Sequence, residues 1–135
     1  MATHSVSAVL FANDLGRVAA FYREVFGASV LRGDADHEVL DCHGFHLMVH
    51  QIPPAFARSI VISSPPERRE RTALRLNFPV DNIDQARRNA QRLGGQIDDR
   101  SPPWATGGNF FLGYDPEGNV IGVKPADTRQ RSAPP

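Results

Sequence analysis

The sequence predicts an α+β protein of two tandem βαβββ modules that form a curled, cavity-enclosing mixed β-sheet with the helices outside. Three observations lead there. Two apolar-striped stretches open at Asp14 and Asn82 and close at Gly27 and Gly95, each pair 68 positions apart. Two turn signals, Asp41–Gly44 and Asp115–Gly118, repeat at a spacing of 74. The segments flanking them are rich in β-branched and aromatic residues or alternate in polarity, as strands do. One such unit exposes an apolar sheet face and needs another to cover it, so the repeat constrains the whole fold.

Residues 5–12 (SVSAVLFA) read as a strand. Asp14 is a good N-cap, and Leu15, Val18, Ala19, Tyr22, Val25 and Phe26 follow at helical spacing. Gly27 supplies the stop. Residues 28–32 form a second strand, and His37–Leu40 with Phe45–His50 form a hairpin around Asp41-Cys42-His43-Gly44. In the second copy Leu74–Val80 is the first strand. Asn82 caps the helix, with Gln85 placed for a capping box, and Ile83, Ala86, Ala90 and Leu93 form the buried stripe. Gln96–Asp99, Asn109–Tyr114 and Asn119–Lys124 complete the module. Asp115-Pro116-Glu117-Gly118 suits a type I turn. The second copy holds six extra residues around Pro102–Gly107. The modules are expected at 5–52 and 73–125, within a domain spanning 1–125. The linker 53–72 joins them, Ser59–Ser63 adds a possible strand, and 126–135 reads as a disordered tail.

Composition narrows the function. Lys+Arg and Asp+Glu number 15 each, so the basic excess of a nucleic-acid binder is absent, as is polybasic attraction to a membrane. No apolar run is long enough to span a bilayer. A single cysteine, Cys42, allows no intrachain disulfide and no thiolate zinc cluster. A cytoplasmic protein is expected. The linker arginines Arg68, Arg69 and Arg71 read either as an anion site or as a solvated charged segment.

Asp14-Leu15…Phe21-Tyr22…Phe26-Gly27 and Asp115-Pro116-Glu117-Gly118-Asn119 resemble the helix and closing hairpin of the vicinal oxygen chelate superfamily. This is the group of glyoxalases, bleomycin-resistance proteins and extradiol dioxygenases. The resemblance covers about residues 5–125. It implies a homodimer, a small-molecule partner, and a divalent metal held from four inward strand positions. Counted from the caps and turn glycines, those positions fall here on Ser7, Arg75, Met48 and Gly122. None is a usual ligand for a hard or borderline divalent ion, and Arg75 would repel one while attracting an anion. A shift of one residue recovers no ligand set. The expectation is therefore a metal-independent protein, with no cofactor, that binds a small organic ligand, anionic or aromatic, for resistance or sequestration. The alternative is a glyoxalase-like lyase or a dioxygenase with non-standard metal ligands. A third reading is a structural or regulatory partner with a filled cavity.

The candidate ligand-binding residues are Ser7, Phe11, His46, Met48, His50, Arg75, Asn77, Trp104 and Phe111. His46 and His50 share a strand face with Met48. They stand about 13 Å apart along the strand, so they line the pocket or serve singly as base or ligand, but do not chelate one ion together. Arg75 either clamps a ligand anion, forms an internal ion pair, for example with Glu38, or points to solvent as an edge residue. Asn77 shares its face. Trp104 is a lid aromatic or a loop anchor. Phe110 and Phe111 point to opposite faces, and Phe111 is assigned to the cavity. His4 and His43 are expected to be solvated, and His37 to pair with Glu38 at the surface. Cys42 has no base placed to activate it. No phosphate-binding glycine loop and no hydrolase nucleophile elbow is present.

Overall fold

The computed structural model describes residues 6–126. His4, the start of the first predicted strand and the tail beyond Ala126 lie outside them. The first module runs β1 (Ser7–Ala12), α1 (Leu15–Phe26), β2 (Ser29–Gly33), β3 (His37–Cys42) and β4 (Phe45–Gln51). A four-residue helix, α2 (Pro54–Ala57), follows in the linker. The second module runs β5 (Asn77–Val80), α3 (Ile83–Arg92), β6 (Gln96–Ile97), β7 (Phe111–Tyr114) and β8 (Val120–Pro125). The βαβββ plan thus appears twice. Each module makes its own four-stranded sheet, in the orders β1-β4-β3-β2 and β5-β8-β7-β6. In both, the first and last strands pair in parallel and the remaining pairs are antiparallel. No helix among the described residues is long and apolar enough to cross a membrane.

Local chemistry accounts for the helix limits. Asp14 accepts a hydrogen bond from the Arg17 amide at 3.1 Å, and Gly27 ends α1 at a φ of 68°. Asn82 accepts from the Gln85 amide at 3.0 Å. The reciprocal half of the expected capping box is absent, because the Gln85 side-chain oxygen accepts from Arg88 instead and its nitrogen donates to Asn89. The β3–β4 turn places His43 and Gly44 at φ values of 54° and 90°, the two positive angles of a type I′ hairpin.

Several expected strands are shorter. β5 begins at Asn77 rather than Leu74, β6 ends at Ile97, and Ser59–Ser63 forms no strand. The linker is nevertheless held. Arg68 grips Asp98 with both terminal nitrogens at 3.0 and 2.5 Å, and the Arg69 amide donates to the Gly118 carbonyl at 2.9 Å. Arg68 is thereby committed to a carboxylate of its own chain.

One apolar core serves both modules. Leu40, Leu47 and Val49 of the first sheet and Phe78, Ile121 and Val123 of the second pack with Val18, Tyr22 and Phe26 of α1 and Ala86 and Ala90 of α3. Phe26 stacks on Phe78 across the module boundary, with centroids 4.3 Å apart and planes 13° apart. Each of these rings contributes about 2 kcal/mol by burial.

Polar contacts close the same boundary. The Tyr22 hydroxyl donates to Asp115 Oδ2 at 2.7 Å. The two carboxylate oxygens of Glu117 accept the amides of Asn13 and Asp14 at 2.7 and 2.8 Å. The Asp115–Asn119 turn therefore clasps the entry to α1. Each sheet keeps a second face turned away from the helices, and most of the candidate site residues lie on or beside these two faces.

Candidate functional site

On the second sheet, Arg75 stands two residues ahead of β5. The chain there is already extended, since the Gly122 amide donates to the Leu76 carbonyl at 2.9 Å. Arg75 and Asn77 therefore project on the same face, and Arg75 Nε donates to Asn77 Oδ1 at 3.0 Å. The guanidinium carbon lies 5.0 Å from the Phe110 ring centroid and 5.5 Å from that of Trp104, within cation–π range of both. The two rings are 5.5 Å apart. Beneath them is Gly122, where a Cβ would meet Asn77 Oδ1 at 2.1 Å and Phe110 Cζ at 2.6 Å. The glycine is required by the close approach of Phe110 and Asn77.

Glu38, the partner weighed for Arg75, pairs instead with Arg23. Among the described residues no carboxylate lies within ion-pair distance of Arg75. Its terminal nitrogens are left on an exposed, largely apolar face. Trp104 remains 60% exposed while touching Phe110, so it stands over the site rather than filling the core.

Phe111 requires a correction. The β7–β8 register sets Leu112 opposite Gly122 and Phe111 opposite Val123, which turns Phe111 to the helix side. There it packs against the core with the Arg87 guanidinium 4.5 Å over its ring. Phe110 takes the place expected of it.

On the first sheet, cross-strand pairing sets Ser7 beside His46, Val9 beside Met48 and Phe11 beside His50. All six side chains share the open face. Phe11 is 62% exposed, and its ring centroid is 6.0 Å from that of His50. His37, expected to pair with Glu38, sits directly opposite His50, the rings nearly parallel at 6.2 Å. Its Nδ1 is 2.9 Å from Asp34. His50 Nδ1 donates to the Gln51 carbonyl at 2.9 Å, and His46 Nε2 is 3.8 Å from Asp41. The two-residue turn at His43-Gly44 dictates this register, so the His37–His50 pair was readable from the hairpin.

The nine expected residues thus divide. Arg75, Asn77 and Trp104 cluster on one sheet with Phe110 and Gly122. Ser7, Phe11, His46, Met48 and His50 share the face of the other, and Phe111 belongs to neither set. A groove of about 930 Å³ between the end of α1 and the start of α3 uses none of the nine. The four positions that the resemblance assigns to a metal do not fit one. They offer a hydroxyl, a thioether, a fixed cation and a backbone whose side-chain space Phe110 and Asn77 occupy. Among the described residues no three His, Cys, Asp or Glu side chains converge.

The family model of the glyoxalase-like domain matches residues 7–123. No curated protein sequence matches the chain. Among solved structures, the fosfomycin resistance protein FosX of Listeria monocytogenes is 15% identical with a TM-score of 0.65, the match covering 98% of each chain. One structure of that protein, a mutant, holds Mn(II) and 1S,2S-dihydroxypropylphosphonic acid. FosX of Mesorhizobium loti is 16% identical with a TM-score of 0.62, covering 98% of this chain and 99% of the other. A bleomycin resistance determinant encoded on the transposon Tn5 is 19% identical with a TM-score of 0.57, covering 93% and 99%. At these identities the likeness is one of fold. The family match spans both modules, so the repeat, the clasped hairpin and the open sheet faces belong to a member of the glyoxalase-like domain family.

Proposed function

We propose that this chain binds a small organic anion without a metal ion, in sequestration or resistance, with Arg75 as the anchor. One observation carries the reading. The Arg75 guanidinium is held by Asn77 and two aromatic rings at a position the resemblance gives to a metal ligand, with no carboxylate to neutralise it. A fixed cation flanked by two aromatic rings favours an anionic guest and disfavours a cationic one. Likeness to fosfomycin and bleomycin resistance proteins supports a ligand-binding use of the fold. The chain acts as a homodimer in this reading. Val9 and Phe11 of the first sheet are more than half exposed, an apolar surface that a second copy would cover.

A second reading, a lyase or dioxygenase with displaced metal ligands, draws on His46 and His50, which share one face of the first sheet. Metal analysis of protein purified without chelator separates the two. The expected result is no stoichiometric metal, together with thermal stabilisation by small organic anions that is lost in Arg75→Ala. Stoichiometric zinc, nickel, manganese or iron that disappears in His46→Ala would overturn the proposal.

A further inference from the structure

Resting on the anion-binding reading above, we propose that the ligand is a planar aromatic monocarboxylate, its carboxylate on the outer edge of Arg75 and its ring against Trp104. The guanidinium has five N–H donors in a fixed fork. Asn77 Oδ1 takes the one on Nε, and the Phe110 and Trp104 rings constrain the group from its sides. What stays free is the pair of terminal nitrogens, whose parallel N–H bonds match the two oxygens of a carboxylate.

Charge limits the guest further. Arg75 is a single cation at the fork: Arg68, over the Tyr114 ring on the same face, is already paired with Asp98, and Lys124 lies two positions along β8 from Gly122, at the groove beside α3. A monoanion is neutralised by one guanidinium. A phosphonate or phosphate dianion would bring a second charge for which the protein offers no second free cation beside the fork.

The ring requirement comes from Trp104. Its indole touches Phe110 and Arg75 on one side and is otherwise uncovered, at 60% exposure. An uncovered indole next to a carboxylate receptor is a stacking platform for a ligand whose aromatic plane continues from its carboxylate. Phe110, seated on Gly122, is the positioning residue that holds the guanidinium beside that platform.

Trp104 is the chain's single tryptophan, so its fluorescence reports the contact directly. The full-length protein is titrated with naphthalene-2-carboxylate, naphthalene-2-carboxamide, cyclohexanecarboxylate and phenylphosphonate, by calorimetry and by tryptophan emission. The aromatic carboxylate should bind at least about tenfold more tightly than the other three and perturb the emission. Arg75→Lys, which keeps the charge but loses the fork, should weaken it about tenfold. Trp104→Ala should remove the preference over cyclohexanecarboxylate, and Trp104→Phe should restore part of it. Both positions are exposed, and melting curves of the variants confirm that they fold. Equal, Arg75-dependent binding of the naphthoate and the cyclohexane acid would overturn the aromatic inference and leave the anion site standing. Tighter binding of the phosphonate would overturn the monocarboxylate assignment. Binding of no probe, or binding indifferent to Arg75, would overturn both this inference and the reading beneath it.

Discussion

Phe110 rests on the backbone of Gly122, so closely that a Cβ at position 122 would stand 2.6 Å from the ring's Cζ. The glycine at this strand position is therefore a packing requirement, and the ring above it is part of what holds Arg75.

Gly122→Ala should consequently destabilise the protein by about 2 kcal/mol, the usual range for forcing a methyl group into filled space. Urea denaturation measures it. Combining it with Phe110→Ala should recover only part of the loss, because Asn77 Oδ1 also stands within 2.1 Å of the new Cβ position.

The Tyr22–Asp115 bond should show a pH-dependent cost. Burial pushes the Asp115 carboxyl above its ordinary pKa, while hydrogen bonds from Asn119, from Tyr22 and from the Glu117 and Asn119 amides pull it down. A raised carboxyl pKa gives a stability contribution that is full below the unfolded value and is lost as pH rises through the folded one. Tyr22 opposes that loss by donating to the charged form. Tyr22→Phe should cost about 1.5 kcal/mol near neutral pH, and the gap from the wild type should narrow as pH falls and Asp115 protonates. Chemical denaturation of both proteins across the acid range tests this.

Cys42 should be chemically inert in the native state. It is buried, and burial followed by the nearby Asp41 charge pushes its thiol to about 11. Iodoacetamide at pH 8 should leave it unmodified in mass spectra of the native protein and alkylate it promptly in denaturant, because the thiolate is the reactive form.

Phe11→Glu should separate a homodimer without unfolding it. The side chain is 62% exposed and absent from the core, so the melting temperature of the separated chain should reflect only lost association. Sedimentation velocity should show the wild type at twice the mass of the variant. A wild type sedimenting as a monomer would remove the dimer from the proposal.

Much of the architecture was legible because each element carries its own punctuation. Asp14 with Gly27, and Asn82 with the glycines after Leu93, bound the helices by capping chemistry that needs no tertiary partner. The two turns set hairpin registers in the same way. Arg75 and Asn77 stand out in the sequence as a charge and an amide on one face of an otherwise apolar strand, and Trp104 as a large ring in the inserted loop; their nearness to one another is a product of the fold. Phe111 faces away from the expected side because alternation alone does not say which of the adjacent Phe110 and Phe111 lines the open face. Counting back from the Asp115–Asn119 turn pairs Leu112 with Gly122 and turns Phe111 away. The His37–His50 pair, by contrast, follows from the two-residue turn at His43-Gly44, because its partners are set by the hairpin register rather than by chain neighbours. The role of Glu117 was not legible at all. Its partners are amides more than a hundred residues away, and nothing local distinguishes it from a solvent-facing turn residue.

That last contact makes the duplicated halves unequal. The turn of the first module offers His43 where the second offers Glu117, so only one hairpin can bind the start of a helix in the other half. An artificial chain built from two first modules would preserve the strand and helix plan, yet leave the Asn13 and Asp14 amides without their carboxylate. The duplicated plan thus carries a one-way latch, closed from the second hairpin onto the first helix.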